Sequence, residues 1–124
     1  MPPIPKADPE ARAFFQGVVP DDPDVAVRPM FGNLSAFVNG NMFMGVFGPD
    51  LFLRLPKEDR DAIAAKGGGP FEPMPGRPMR DYVLLPAGWR GQPGLVREWV
   101  ARSLDLARAL PPKQPKAKRA KRLG

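Results

Sequence analysis

Four short apolar runs decide the fold: Val25-Ala-Val-Arg-Pro-Met-Phe31, Leu34-Ser-Ala-Phe-Val38, Met42-Phe-Met-Gly-Val-Phe47 and Leu51-Phe-Leu-Arg-Leu55. Each has the length of a strand, and turn chemistry separates each from the next: Gly32-Asn33, Asn39-Gly40-Asn41 and Gly48-Pro49-Asp50. Asn-Gly between apolar runs is a strong hairpin signal, because both residues tolerate positive φ. In the fourth run Leu51, Leu53 and Leu55 point one way and Phe52 and Arg54 the other. The reading is an antiparallel meander.

On the N-terminal side, Asp8-Pro9-Glu10 is a helix start, an N-cap acid followed by proline at the first helical position. Ala11, Phe14, Phe15 and Val18 follow at helical spacing, which predicts a helix over 9–17. Asp21-Asp22-Pro23-Asp24 then reads as a turn. On the C-terminal side, Pro56 to Lys66 reads as a helix stopped by Gly67, 67–78 as a Gly/Pro-rich loop, and Asp81-Tyr-Val-Leu-Leu85 as a further strand. A last helix is predicted from Leu95 to Leu110. Leu95, Val96, Trp99, Val100, Ser103, Leu106, Ala107 and Leu110 share one face, and Glu98 and Arg102 form an i,i+4 pair on the other.

The order α-β-β-β-β-α-β-α predicts an α+β fold of two layers, a mostly antiparallel sheet of about five strands with helices on one face. The predicted domain is 8–110, followed by a disordered basic tail over 111–124. That tail holds Lys113, Lys116, Lys118, Arg119, Lys121 and Arg122, six of the chain's nineteen basic residues, and no acid. Thirteen basic residues remain in the body against all thirteen acids, so the net charge of +6 belongs to the tail. A polybasic arm of this kind can neutralise about four to six phosphates without reading sequence. A solvated end is the other reading, and both stay open.

The 124 residues contain no Cys, His or Thr, and two Ser, Ser35 and Ser103. That excludes thiolate or imidazole zinc sites, disulfides and Ser–His–Asp chemistry, and removes the usual general base near neutral pH. No catalytic residue, metal or cofactor is expected. Gly67-Gly68-Gly69 lacks the Lys-Ser/Thr and following helix of a phosphate loop, and a helix stop outweighs it. Asp21, Asp22 and Asp24 lack the calcium-loop pattern. Ser35 and Ser103 are read as small polar filler.

Arg28, Arg54, Arg77, Arg80 and Arg90 could hold an anion or pair with the body's acids. Pro29 places the Arg28 strand at an edge or bulge. Phe37, Phe43, Phe47 and Phe52 are read as core ahead of a stacking surface for bases. The chain shows no signal peptide and no apolar run of the ~18 residues that a membrane helix needs. The cytoplasm is the expected compartment.

Arg28-Pro-Met-Phe-Gly32, Asn39-Gly-Asn-Met-Phe43 and Leu51-Phe-Leu-Arg-Leu55, followed by Pro70-Phe71, Met79, Tyr82, Pro86 and a helix carrying Trp99, resemble the TfoX N-terminal domain family over residues 9–110. The family's motif falls on Arg28, Met30, Phe31 and Gly32. The resemblance implies a two-layer α+β domain, here standing alone, with a link to transcriptional regulation and competence and no catalytic chemistry. The leading expectation is a non-enzymatic regulatory module that binds a protein partner, as a monomer or homodimer. The alternative is a nucleic-acid accessory protein that grips phosphate through the tail.

Overall fold

The structure is a computed structural model and describes residues 8–30, 33–72, 76 and 79–112, with Met30 through its backbone alone. It is an α+β fold. Helix α1 (Pro9–Val18) leads into strands β1 (Val25–Met30), β2 (Asn33–Val38), β3 (Asn41–Phe47) and β4 (Asp50–Arg54). Helix α2 (Lys57–Ala65), strands β5 (Gly69–Pro70) and β6 (Tyr82–Leu84), a 3-10 turn (Ala87–Gly91) and helix α3 (Pro93–Ala109) complete it. The sheet has six strands in the order β1-β2-β3-β4-β6-β5, every neighbouring pair antiparallel. The sixth strand is the two-residue β5, inside the segment read from sequence as loop.

Local chemistry explains the boundaries. Asp8 Oδ1 accepts from the Ala11 N–H at 2.6 Å, and Pro9 occupies the first helical position, so the orphan donors of α1 are partly met. Asn39 and Gly40 close the β2–β3 hairpin with φ of 53° and 79°, the conformation that Asn-Gly accepts at low cost. Helix α2 ends in a Schellman arrangement: Gly68 N–H reaches Ile63 O at 3.0 Å and Gly67 N–H reaches Ala64 O at 3.2 Å, with Gly67 at φ +110°. The triple glycine is therefore a helix stop.

All three helices lie on one face of the sheet. Ala11, Phe15 and Val18 of α1, Ile63 of α2, and Val96, Val100, Leu104 and Ala107 of α3 bury against Ala36, Val38, Val46, Leu51, Leu53 and Val83. A register shift between β2 and β3 pairs Ala36 with Met44 and Phe37 with Met42, leaving Phe43 as the extra residue. Such a bulge turns two successive side chains to one side. Phe43 and Met44 both enter the helix-side core, fully buried. Ser103 of α3 sits among them, its hydroxyl donating to Phe43 O at 2.6 Å.

The outer face of the sheet carries a second cluster. Phe52, Phe71 and Tyr82 form its centre, with Met42, Phe47, Met79 and Leu84 packed around them. Phe52 and Phe71 stack at 4.1 Å, and Tyr82 meets Phe52 edge-on at 5.6 Å. Gly45 makes room for this, since a Cβ there would lie 2.4 Å from the Phe52 ring.

Two readings of the last helix are corrected. Arg102 pairs with Asp59 of α2 at 3.4 Å and lies over the Trp99 ring at 4.9 Å, in place of the pair with Glu98. Leu104 is buried on the inner face, a position the face read from sequence omits, while Leu106 and Leu110 are half-buried.

Candidate functional site

The margin of the sheet at β1 is built differently from the rest. Partners across the β1–β2 ladder share a face, so Val25, Val27 and Pro29 stand on the helix side, opposite Val38, Ala36 and Leu34. Ala26 and Arg28 stand on the outer side, opposite Phe37 and Ser35. Helices α1 and α3 lie over β2, β3 and β4, and among the described side chains of β1 only Val25 packs against the core they cover. Val27 is left 45% exposed, the one large hydrophobic side chain exposed among the described residues. On the reverse face Arg28 is exposed, its guanidinium carbon 5.5 Å from the centroid of the half-buried Phe37 ring.

The backbone of this margin is guarded against strand addition. Pro29 has no N–H, so its nitrogen belongs on the free edge of β1 and not in the ladder with β2. By alternation the N–H groups of Val27 and Val25 face that edge too. Val25 N–H is already committed to Asp22 O at 3.0 Å. Val27 therefore carries the one uncommitted edge donor of the strand. The opposite edge is β5, two residues long and ending in Pro70. Short, proline-bearing edges resist pairing with other chains, which directs recognition to side chains at this margin.

Of the other cations read from sequence, Arg54 and Arg90 are tied to acids or carbonyls. Arg54 pairs with Asp81 at 3.4 Å and lies over Tyr82 at 5.7 Å. Arg90 lies 3.7 Å from Asp8 and 3.6 Å from Glu10 and donates to Pro49 O, holding the start of α1 to the β3–β4 turn. Arg80 is exposed, and its carbonyl accepts from Arg60. Arg77 lies outside the described residues.

The acidic turn is structural. Asp22 Oδ1 accepts from Asp24 N–H at 2.9 Å, and the Arg108 guanidinium donates to the Asp22 carboxylate. The Asp24 amide first, and Arg108 second, hold the Asp22 carboxyl below its ordinary value. Burial pushes the Asp50 carboxyl up, and burial likewise raises Tyr82. The Tyr82 hydroxyl donates to Met42 O at 2.9 Å. A cleft between Phe14, Leu51, Trp89 and Arg90 encloses about 20 Å³, room for about one water. Ser35 is buried on the outer face of the sheet and Ser103 is bonded to backbone. Among the described residues no group of three or more carboxylates is placed to hold a metal ion.

Of the four phenylalanines read as core, Phe43 belongs to the helix-side core and Phe47 and Phe52 to the outer cluster. Phe37 and Phe47 are half-buried, and Phe37 has an arginine over its ring. Met30 pairs through its backbone with Asn33. Phe31, Gly32 and the six tail cations lie outside the described residues.

The family model of the TfoX N-terminal domain matches residues 19–107, taking in all six strands, α2 and most of α3. The chain belongs to the TfoX N-terminal domain family. No curated protein matches its sequence. Within the TfoX N-terminal domain, Arg28 sits in the first matched strand and Trp99 in the last matched helix.

Sequence reasoning did not single out Val27 or Asn41. Val27 looks like any strand valine until the helices are seen to stop short of it. Asn41 is the fixed end of the tail: its Nδ2 donates to Pro111 O at 3.1 Å, seventy residues away. No local pattern announces a bond of that span. Among the described residues no helix is long and apolar enough to cross a membrane.

Proposed function

We propose that this chain is a non-enzymatic regulatory module that acts by holding a protein partner against the helix-side margin of β1. Residues 8–110 serve as one body and 111–124 as a basic arm. The observation that carries the reading is Val27, an apolar side chain left open at a rim that the helices do not reach. Membership of the TfoX N-terminal domain family adds the regulatory character, and a chain without cysteine suits a reducing cytoplasm. Arg54, Arg90, Arg102 and Arg108 are engaged in holding elements together, which argues for binding over turnover.

The test is quantitative affinity capture with the full chain and with Val27→Lys, after both are shown to melt at the same temperature. A partner retained by the parent chain and lost by Val27→Lys is the expected outcome. A retained set indifferent to the substitution overturns the reading. So does turnover of any substrate that depends on Arg28.

A further inference from the structure

Among the described residues three arginines lie over aromatic rings, and two of the three are completed by a carboxylate. The Arg54 guanidinium stands 5.7 Å from the Tyr82 centroid and meets Asp81 at 3.4 Å. The Arg102 guanidinium stands 4.9 Å from the Trp99 centroid and meets Asp59 at 3.4 Å. A ring takes the flat side of a guanidinium and leaves its N–H edge free for an acid. Arg28 has the ring and lacks the acid. Its guanidinium carbon lies 5.5 Å from the Phe37 centroid, and the residue is exposed. All thirteen acids of the chain lie among the described residues, and none of them pairs with Arg28. No acidic side chain of the same chain completes this site.

The ground beside Arg28 fits a peptide. Ala26, Phe37 and Met42 form one rung across β1, β2 and β3 on the outer face. Ala26 is exposed and Phe37 and Met42 are half-buried, since a methyl group opposite Phe37 is too small to cover its ring. Ser35, across the ladder from Arg28, is buried. None of these neighbours is charged, so Arg28 offers a single positive charge beside an apolar strip. One planar cation answers one carboxylate, whereas a phosphate backbone is held by a track of several cations. We infer that this face docks an acidic segment of a partner protein. An Asp or Glu carboxylate sits on the Arg28 guanidinium, and an adjoining apolar side chain lies on the Ala26–Phe37–Met42 rung. An exposed ion pair alone contributes little, and the apolar contact beside it makes this a docking surface. The Phe37 ring holds the guanidinium before the partner arrives, so less side-chain freedom is lost on binding. The surface stands on the opposite side of β1 from Val27 and does not rest on that rim.

The experiment is an NMR titration of the isotope-labelled full chain, followed at the Arg28 Nε–H and Phe37 ring signals. The probes are a peptide of alternating Glu and Leu, the same peptide with Gln in place of Glu, inorganic phosphate, and a short dT strand. The Glu peptide is expected to move Arg28 and Phe37 together, with a Kd on the order of 1 mM or below. The Gln peptide leaves Arg28 unmoved. Arg28→Lys keeps the charge and loses the planar fork. Followed through Phe37, it is expected to bind the Glu peptide about fivefold more weakly at an unchanged melting temperature. A Glu peptide that leaves Arg28 unmoved overturns the inference, as does a Gln peptide that moves it equally or an affinity indifferent to Arg28→Lys. Phosphate or dT that moves Arg28 at a lower concentration than the Glu peptide also overturns it, and makes the site a phosphate contact. None of these outcomes touches the Val27 reading, whose own test is capture lost in Val27→Lys.

Discussion

The sheet has two halves that the same chain treats differently. Around β3, β4 and β6 both faces are covered, by helices on one side and by Phe71 and Met79 on the other. At β1 and β2 the helices cover one face only as far as β2, and the outer face leaves Arg28 open and Phe37 half-open. Phe52 and Phe37 both stand on the outer face, yet Phe52 is 3% exposed and stacked on Phe71. The difference lies in what returns over them. Phe71 and Met79, between α2 and β6 in sequence, pack over one half and are joined by Met79 N–H donating to Phe71 O at 2.8 Å.

The sharpest way to break this comparison is to truncate the same residue type in each half. Phe52→Ala removes the centre of a covered cluster and is expected to cost about 3–5 kcal/mol in urea denaturation. Phe37→Ala, on the open half, is expected to cost less than about 1 kcal/mol. Equal costs would mean that the outer face is covered throughout.

A second substitution probes the hinge of the covered half. A Cβ at Gly68 would lie 2.5 Å from Leu84 O and 2.6 Å from Ile63 Cγ2. Gly68→Ala must therefore push α2 away from β6, at an expected cost of about 1–3 kcal/mol by chemical denaturation. Gly69→Ala next to it meets open space and serves as the control.

Much of this architecture was legible in the sequence because its turns are written in strong residues. Asp8-Pro9, Asn39-Gly40 and Gly67 each mark a boundary by a conformational requirement, and the sheet order of β1 to β4 follows from short connections. The β3 bulge was not legible. Met42-Phe-Met-Gly-Val-Phe47 is apolar throughout, so no alternation exists to betray a slip of one residue. Strand β5 is too short to show any period, and its pairing with β6 is a tertiary event. For the site, Arg28 stood out because Pro29 marked an edge. Which phenylalanine lies outside both clusters could not be read, because all four occupy strands of similar composition and coverage of the outer face comes from Phe71 and Met79, far away in sequence.

The acidic turn at the foot of β1 offers a finer comparison, through pH. Asp22 has its folded pKa lowered, by the Asp24 amide first and Arg108 second. A lowered carboxylate contributes stability above the unfolded pKa and loses it as pH falls through the folded one. The stability curve should therefore bend downward below about pH 4. Asp22→Asn keeps an acceptor for the amide but removes the charge that faces Arg108, so its curve should be flatter over that window. An unchanged acid limb would show that the turn does not tie α3 to β1 in solution.

The smallest expected effect belongs to the rim itself. Val27→Thr exchanges a methyl for a hydroxyl at a side chain 45% exposed, where water already reaches and no buried donor or acceptor is created. Stability should stay within about 0.5 kcal/mol of the parent chain. The same exchange at Val46, 1% exposed in the covered half, places a hydroxyl among apolar groups and should be felt in the melting temperature. If Val27→Thr proves as costly as that, the rim is closed in solution, by a second copy or by the chain itself. The protein-partner reading would then need another surface. If it is silent, Val27 is free to be spent on binding.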